Sequence, residues 1–567
     1  MPMRHRLVLI AWATAALVAA GCDSSWNARE RQSARAALGR IRSAAASKQA
    51  AGQPPAAPAA APAARPVKQG EVRLTLFDAL RIAIQNNHDI QIAGYDPLIA
   101  ETDIVTARAA YDPNLVLSNT FGRAKRPIAS QLDTGDILNT HLTEDTWQFR
   151  GGMAQRIGTG ATVSLTQEMN YLDTNSRLIL PNPQYTSRLV GEVSQPLLKG
   201  FGDPLGRAAI RIANLAAGVS LHDFRQKVME VTAKVTAAYW QVAFDLDMAR
   251  VFRESLEMAR EVERREKARA GQGVSNDLNI ARAVSSVATR EVEVLRAENR
   301  ARNSADELKR LLNAPDMPVD SDVALVPIEQ PRFFLVDVDR TASMTRALSR
   351  RPELERARAT LAINRIRVDV SDRQRLPKLD ALLRYTLNGL GGDLGESMDS
   401  QHFPDPATWS AALEFEFPLG NRTAEAERQR RRVEYEQALL GADRLTDQVL
   451  QEVSVAARAV LQGRDEVEST LRARDAARKV IHGETVLLDL QAMDRQSNEE
   501  LLRAQDILAA AQRDHLVALL NFNLALTELS RAQGTLVEDT SIEIVWPEAD
   551  RPGRLAPLGA RLPEKND

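Results

Sequence analysis

The sequence predicts a mainly α-helical protein that also carries membrane-type β-strands. It is organised as two tandem repeats of helix, strand, strand, long helix and helix. Three observations support this prediction: a proline-free stretch long enough for a rod of helix, strands with alternating apolar residues, and a constant spacing between matching residues in the two halves of the chain. Each half of the chain is therefore predicted to be a copy of the same unit.

The proline-free stretch runs from Arg207 to about Ala270. Its apolar residues recur mostly in steps of three and four, which indicates a helix with nearly heptad spacing. At ~1.5 Å per residue this helix is roughly 95 Å long, which is outside the ordinary globular range. The segment from Gly271 to Ser275 interrupts the pattern, and Ser275 can cap a second helix that runs from Asn276 to Asn313.

A spacing of 222 residues links the two halves. Pro196-Leu197 matches Pro418-Leu419 (418 − 196 = 222), and Ser275-Asn276-Asp277 matches Ser497-Asn498-Glu499 (497 − 275 = 222). Such a spacing indicates a duplicated unit. The predicted domains are a first repeat at residues 71–330 and a second repeat at residues 331–545.

Each repeat is predicted to contain two strands with apolar residues on one face and polar residues on the other. In the second repeat these are segments 379–387 and 409–417. The first repeat carries about 42 additional residues, which are predicted to include a hairpin at about 141–170. The sequence leaves open whether this hairpin joins the main sheet.

Two strands per repeat give four per chain when the inserted hairpin is left aside. Four strands cannot close a barrel, and open sheet edges cannot lie in lipid. Two chains would supply eight strands, which fill their own interior, whereas three chains would supply twelve. The prediction is therefore a trimeric 12-stranded β-barrel, continued by the helices as a long periplasmic α-helical barrel.

The N-terminal residues 1–21 are predicted to be a signal peptide, because Arg4 and Arg6 precede an apolar run too short for a comfortable membrane span. The segment resembles a bacterial lipoprotein signal, which implies that Cys22 is acylated, although Ala19 stands where Leu is usual. An ordinary cleaved signal followed by an incidental cysteine is the alternative. Cys22 is the only cysteine, so it has no disulfide partner within the chain.

The segments outside the repeats have compositions that do not favour a packed core. Residues 22–70 are rich in Ala and Pro and are predicted to form a lipid-anchored tether, and residues 546–567 are predicted to form a polar C-terminal tail. The formal net charge of the chain is −2. This charge, together with export, argues against a nucleic-acid partner.

The chain lacks the sequence patterns of common catalytic sites. Its seven His residues form no HExxH pattern, and there is no CxxC, GxSxG or P-loop motif. The sequence therefore predicts no enzymatic activity, no cofactor and no metal site.

Several short motifs in this order resemble the TolC-like family of outer-membrane efflux and secretion channels. They are Leu76–Leu80, Gln195–Leu198, Ala238–Trp240, Arg351–Leu354 and Phe417–Leu419. The resemblance implies a homotrimer in the cell outer membrane, with a periplasmic extension. It also implies a periplasmic adaptor and an inner-membrane pump as partners, and export through a tripartite efflux or type I secretion system.

The resemblance further implies candidate functional residues. The tips, where the two helices of each hairpin meet, would contact the adaptor through Gly271, Gly273, Val274, Ser275 and Asp277 in the first repeat and through Ser497, Asn498 and Glu499 in the second. A plain helix turn with a serine cap is the alternative interpretation.

Pro196 and Pro418 mark the junctions between strand and helix. A periplasmic coiled-coil adaptor lipoprotein is the alternative function, but it would carry one hairpin instead of two. The exported substrate is left open.

Overall fold

The computed structural model describes residues 70–128, 134–135, 140–272, 275, 277–402, 407–490, 497–545 and 559–561. The predicted signal peptide, Cys22, and nearly all of the tether and the C-terminal tail lie outside these residues. The described part combines long helices with one large sheet and two small ones. Among the described residues, no helix is both long and apolar enough to span a membrane.

The described part of the first repeat contains four short helices followed by two long ones. They are α1 (Leu76–Asn86), α2 (His88–Ala93), α3 (Asp96–Ala109), α4 (Asp203–Gly206), α5 (Ala208–Gly271) and α6 (Asp277–Leu312). Thr75 caps α1, because its side-chain oxygen accepts a hydrogen bond from the backbone N–H of Asp78 at 3.1 Å. The predicted long helix and return helix are both present, with bounds within one or two residues of those expected.

The second repeat supplies a similar set of helices. They are α7 (Arg340–Arg350), α8 (Pro352–Gln374), α9 (Leu394–Gln401), α10 (Arg422–Leu490), α11 (Ser497–Gln533) and α12 (Leu536–Asp539). The short helix α9 lies in a segment rich in Gly, Asp and Ser, whose composition predicts a loop. In the first repeat the sequence predicts one helix from about His88 to Ala110. This prediction is wrong, because the chain breaks between α2 and α3, where Pro97 stands in the first turn of α3.

The strands of the large sheet form an antiparallel meander. They are β2 (Asn114–Pro127), β3 (His141–Arg156), β4 (Thr162–Thr174), β5 (Gln184–Pro196), β7 (Lys378–Gly391) and β8 (Ala407–Glu416), hydrogen-bonded in that order. The count of four strands per chain is therefore wrong: the hairpin β3–β4 is inserted between β2 and β5, and the sheet has six strands. The predicted 12-stranded barrel depended on the smaller count.

Two small sheets lie outside the large one. Strand β1 (Glu71–Leu74) pairs in parallel with β6 (Ala324–Pro327), so the start of the first repeat is joined to the segment that leads into the second. Strand β9 (Glu543–Val545) pairs with β10 (Gly559–Arg561) in antiparallel register.

The long helices pack as paired rods. The helix α5 contacts α6 along one part of its length and α3 along another, so two shorter helices together line the long one. In the second repeat α10 contacts α11 and α8 in the same way. Each repeat has its own apolar core, and the matching residues Val231 and Val453 are both buried. Contacts of α5 with α8 and α11 join the repeats into one layer.

Candidate channel wall and helical tips

One face of the six-stranded sheet is mainly apolar, and the other face is polar. The mainly apolar face carries charged residues only at the end of the strands away from Pro196 and Pro418, where Arg123, Lys125, Asp145 and Asp173 lie. Successive side chains in a strand point to opposite sides, so the register places the odd-numbered residues of all six strands on the same face. Its large apolar residues are Leu115, Leu117, Phe121, Trp147, Phe149, Met153, Val163, Leu165, Met169, Tyr171, Tyr185, Leu189, Val193, Leu379, Leu383, Tyr385, Leu387, Trp409, Leu413 and Phe415. We refer to this side as the apolar face.

The opposite side, the polar face, carries ion pairs between neighbouring strands. Arg150 lies 2.9 Å from Glu168, and Arg384 lies 2.6 Å from Glu192. Its charged residues are Arg126, Arg150, Arg156, Arg188, Lys378 and Arg384, and Glu144, Glu168, Glu192, Asp380, Glu414 and Glu416. Six basic and six acidic side chains cancel, so the polar face has no net formal charge.

Polar side chains in the middle of the apolar face have hydrogen-bond partners. Asn119 accepts a hydrogen bond from the indole N–H of Trp147 at 2.6 Å. The hydroxyl of Ser187 donates to the backbone oxygen of Ser397 at 2.7 Å, and the amide groups of Gln167 and Gln401 lie 3.2 Å apart. A polar group that faces lipid without a partner costs several kcal/mol, so this pattern is the one that a lipid-facing surface requires.

The helix α9 explains two of these contacts, because it packs against β5 and β7 on the apolar face. Gly389 and Gly391 make room for it: a Cβ atom on Gly391 would lie 2.5 Å from the backbone nitrogen of Ser397. This packing of α9 against the sheet is not predicted from the sequence. The two glycines in β7, on the face whose other β7 residues are apolar, were the available signal for a close approach of backbone.

The two junctions between strand and helix share a proline and a left-handed residue. At Pro196, which ends β5, the next residue with positive φ is Gly200 at +87°. At Pro418 it is Gly420 at +88°. Leu419, beside Pro418, is 99% exposed in the single chain. The structure therefore places both predicted junction residues where the sheet ends and the long helices begin.

The turn of the β3–β4 hairpin packs into the first junction. The backbone N–H of Gly202 donates to the oxygen of Thr159 at 3.0 Å, and the hydroxyl of Thr159 donates to the side-chain oxygen of Gln195 at 3.1 Å. The amide of Gln155 donates to the backbone oxygen of Tyr111 at 3.1 Å, at the end of α3. The turn end of the β3–β4 hairpin is thus hydrogen-bonded to two connections between helix and strand: the one from α3 to β2 and the one from β5 to α4.

The tip of the first repeat is partly described. Gly271 ends α5 and is exposed, and Asp277 begins α6 and is also exposed. Ser275 was predicted to cap α6, and the structure shows its hydroxyl donating to the carboxylate of Glu266. Leu278, which the sequence analysis did not single out, is 57% exposed beside Asp277. Gly273 and Val274 lie outside the described residues.

The tip of the second repeat is described only as backbone. Ser497, Asn498 and Glu499 form the first turn of α11.

The two hairpins are joined by an ion pair: Arg290 lies 2.6 Å from Asp506, and its guanidinium also donates to Ser255 at 2.8 Å. Arg290 is 13 residues into α6 (290 − 277), which is about 20 Å from the start of that helix.

The described residues contain no group of three or more His, Cys, Asp or Glu side chains that could hold a metal ion. Their charged clusters are ion pairs between Arg or Lys and carboxylates, as on the polar face. The geometry is therefore that of a two-faced wall and of paired rods with exposed tips.

The described fold is thus a meander with one mainly apolar face, continued into paired rods of helix. The chain resembles the outer membrane efflux protein family, whose model matches residues 160–314. These residues cover β4, β5, α5 and α6, including the first junction and the first tip. No curated protein sequence matches the chain significantly.

Solved structures of outer-membrane channels share the fold. The OprN channel is 15% identical, with a TM-score of 0.59 over 81% of this chain and 89% of that chain. The CmeC channel of Campylobacter jejuni is 15% identical, with a TM-score of 0.57 over 81% and 86%. VceC of Vibrio cholerae is 15% identical, with a TM-score of 0.58 over 81% and 96%. The family and the structures that match are channels and not enzymes.

Proposed function

We propose that this protein is one subunit of a homotrimeric outer-membrane channel that exports substrate in a tripartite efflux or type I secretion system. The observation that carries the proposal is the sheet with one apolar and one polar face, whose first and last strands have unpaired edges in the single chain. Such a sheet is stable in lipid only when its edges are closed by further strands.

The long helices indicate how the channel is oriented relative to the membrane. Both long helices, α5 and α10, leave the sheet at its Pro196 and Pro418 end, and the described tips lie at the far end of the rods. We propose that the rods extend through the periplasm and that the tips contact an adaptor and, through it, an inner-membrane pump. Acylation of Cys22 would hold the N-terminal segment at the membrane. A lipoprotein cysteine carries more than one acyl chain, and several chains anchor a protein firmly, whereas a single chain binds only weakly.

Conductance in planar lipid bilayers tests the channel. The purified protein should migrate as a trimer and produce discrete conductance steps when it is added to the bilayer. A trimer that inserts into lipid and conducts no ions would overturn the proposal.

Mass spectrometry of the N-terminal peptide tests the anchor, because acylation adds the mass of the lipid to a mature chain that begins at Cys22.

The adaptor contact is tested by photo-crosslinking in the native cell. A photoreactive residue replaces Leu278 at the tip in one variant and exposed Leu440 in α10, far from the tips, in the control. The expected outcome is a crosslink from position 278 to a protein that mass spectrometry identifies as carrying a long helical hairpin and an inner-membrane anchor. Crosslinks from both positions to the same protein, or none from position 278, would contradict an adaptor site at the tip.

A further inference from the structure

We propose that three chains close one barrel of eighteen strands, six from each chain, in which the β3–β4 hairpin is part of the membrane wall. This inference rests on the proposed function, because it takes the trimer from it. It differs from the twelve strands that three chains with four strands each would supply. It also assigns the contact between subunits to β2 of one chain and β8 of a second copy.

The hairpin is hydrogen-bonded on both sides, as a wall element must be. Strand β2 pairs with β3 along its whole length, from Asn114 opposite Ala154 to Pro127 opposite His141. Strand β4 pairs with β5 from Thr162 opposite Ser194 to Leu172 opposite Gln184. A hairpin that folded into the lumen or outside the barrel would leave β2 and β5 as direct partners, and the sheet order excludes this arrangement in the chain.

The alternation of side chains between the two faces of the sheet continues through the hairpin: odd-numbered residues of β3 and β4 lie on the same face as those of β2 and β5. Trp147 and Phe149 in β3 lie on the apolar face beside Phe121 of β2 and Tyr171 of β4. Arg150 and its partner Glu168 lie on the polar face, as do Glu192 and Arg384 in the next strands. A one-residue slip would exchange the two faces, so the shared phase shows that the hairpin strands fit the same two environments as their neighbours.

The unpaired edges have the geometry that a second copy requires. Every residue of β2 is exposed, and so is nearly every residue of β8. Because six strands alternate in direction, β8 of one chain and β2 of the next run antiparallel when the copies are related by rotation about the barrel axis. Both edge strands also carry large apolar residues on the same face, such as Leu117 and Leu413, so the lipid-facing surface would continue across the contact.

The strand number sets the width of the barrel. With strands ~4.8 Å apart and tilted by about 40°, eighteen strands give a backbone diameter of about 36 Å, and twelve give about 24 Å. The barrel is thus about 1.5 times wider than one of twelve strands. At this width it encloses an aqueous lumen, and its polar face carries balanced charge.

Electron cryo-microscopy of the purified trimer in lipid nanodiscs tests the inference directly. The comparison variant lacks residues 141–174, which removes β3 and β4 and leaves β2 and β5 antiparallel, so that twelve strands can close. The expected result is a barrel about 36 Å wide in end-on averages of the wild type and about 24 Å wide in the variant. Light scattering should give a trimer for both proteins.

The barrel widths and the oligomeric states of the two proteins distinguish the eighteen-stranded barrel from the proposed channel function. Equal widths for the two trimers would overturn the inference and leave the proposed channel intact. A wild-type protein that is not a trimer would overturn both. Conductance separates the two ideas further, since a trimer that conducts and has a barrel about 24 Å wide supports the channel alone.

A second measurement covers the case in which the deletion variant does not fold. Trp147 lies in β3 on the apolar face, so its fluorescence in the full-length trimer should be quenched by lipids with brominated acyl chains. The fraction of total emission that these lipids quench should fall in Trp147→Phe and should not fall in Trp240→Phe, whose ring packs against the buried core of the helices. An unchanged fraction in Trp147→Phe would overturn the placement of the hairpin in the wall.

Discussion

Tyr239 joins three parts of the chain through one buried hydroxyl group. The hydroxyl donates to the backbone oxygen of Leu74 at 3.0 Å and accepts from the backbone N–H of Glu329 at 3.3 Å. The side chain is 0% exposed, and burial raises its pKa to about 12. The resemblance to TolC-like channels included Ala238-Tyr239-Trp240, but only the structure shows why a tyrosine is useful at that position.

We predict that Tyr239→Phe lowers the free energy of unfolding by about 1–3 kcal/mol, because the backbone N–H of Glu329 loses its acceptor and the backbone oxygen of Leu74 keeps only the hydrogen bond from the N–H of Ile328. Chemical denaturation of the purified protein, followed by circular dichroism, measures this change. Tyr95→Phe is the control, since the Tyr95 ring is exposed and its hydroxyl has no hydrogen bond to a described residue. Equal losses in the two variants would show that the Tyr239 hydroxyl has no specific role.

His515 is a buried histidine between α10 and α11. Burial lowers its pKa, and the positive charge of Arg474 lowers it further, while Asp475 acts in the opposite direction. Its Nδ1 lies 3.3 Å from the hydroxyl of Thr470. The folded protein therefore favours the neutral imidazole, and the unfolded chain takes up the proton more readily.

This lowered pKa predicts an acid-sensitive contribution to stability. A group whose folded pKa is depressed contributes fully above its unfolded value, near 6.5, and that contribution falls as the pH decreases below it. The thermal midpoint of the wild type should drop more steeply between pH 7 and pH 5 than that of His515→Gln. His482, whose side chain is exposed, supplies the control substitution. Parallel curves for wild type and His515→Gln would contradict the prediction.

At the scale of the elements, two glycines let the β3–β4 turn pack into the strand–helix junction. Gly160 has a φ of +92°, and a Cβ atom there would lie 2.5 Å from the backbone oxygen of Gly200. A methyl group on Gly206 would overlap the backbone oxygen of Gly158. The close approach requires residues without a side chain on both sides of the contact.

We predict that Gly160→Ala and Gly206→Ala each lower the free energy of unfolding by about 1–3 kcal/mol and increase amide exchange in residues 157–161. Hydrogen exchange with mass spectrometry measures the local effect. Gly218→Ala in α5 is the matched control, because no atom lies within 4 Å of the added Cβ and alanine favours the helix by about 0.5–1 kcal/mol. Unaltered exchange at the turn in all three variants would show that the turn is not held by the junction.

Sequence patterns were sufficient for the long elements and insufficient for their arrangement at the wall. The helices α5 and α10 follow from apolar periodicity without proline, and the strands β7 and β8 follow from strict alternation. The hairpin strands were also recognisable, but their place between β2 and β5 depends on long-range pairing that no local pattern records. The helix α9 was missed because its eight residues, Leu394–Gln401, are mostly polar and small.

At the scale of the whole molecule, neighbouring leucines of β7 distinguish the two faces of the sheet. Leu383 lies on the apolar face opposite Val193 and Ala411, and Leu382 lies on the polar face opposite Ser194 and Ala412. If the apolar face contacts lipid, an arginine at position 383 should cost about 2–4 kcal/mol near the bilayer midplane. An arginine at position 382 would face water.

We therefore predict that Leu383→Arg strongly reduces the amount of folded protein in the membrane fraction, whereas Leu382→Arg has little effect. Quantitative immunoblotting of membrane fractions, combined with protease resistance of the sheet, measures both variants. The two substitutions introduce the same residue one position apart in the same strand, so differences in expression or net charge cancel. A larger loss for Leu382→Arg would mean that the polar face, and not the apolar face, meets the lipid.

The sequence by itself determined the duplicated order of elements, the length of the rods and the alternation of apolar and polar residues in the strands. These features follow from local periodicity, because each residue's position in a helix or strand is fixed by its near neighbours. Only the tertiary structure decided that six strands form the sheet, that α9 covers part of its apolar face, and that the turn at Gly160 is bonded to the junction. Strand order and backbone close approach depend on partners distant in sequence, and a single chain's local pattern is compatible with more than one choice of partner.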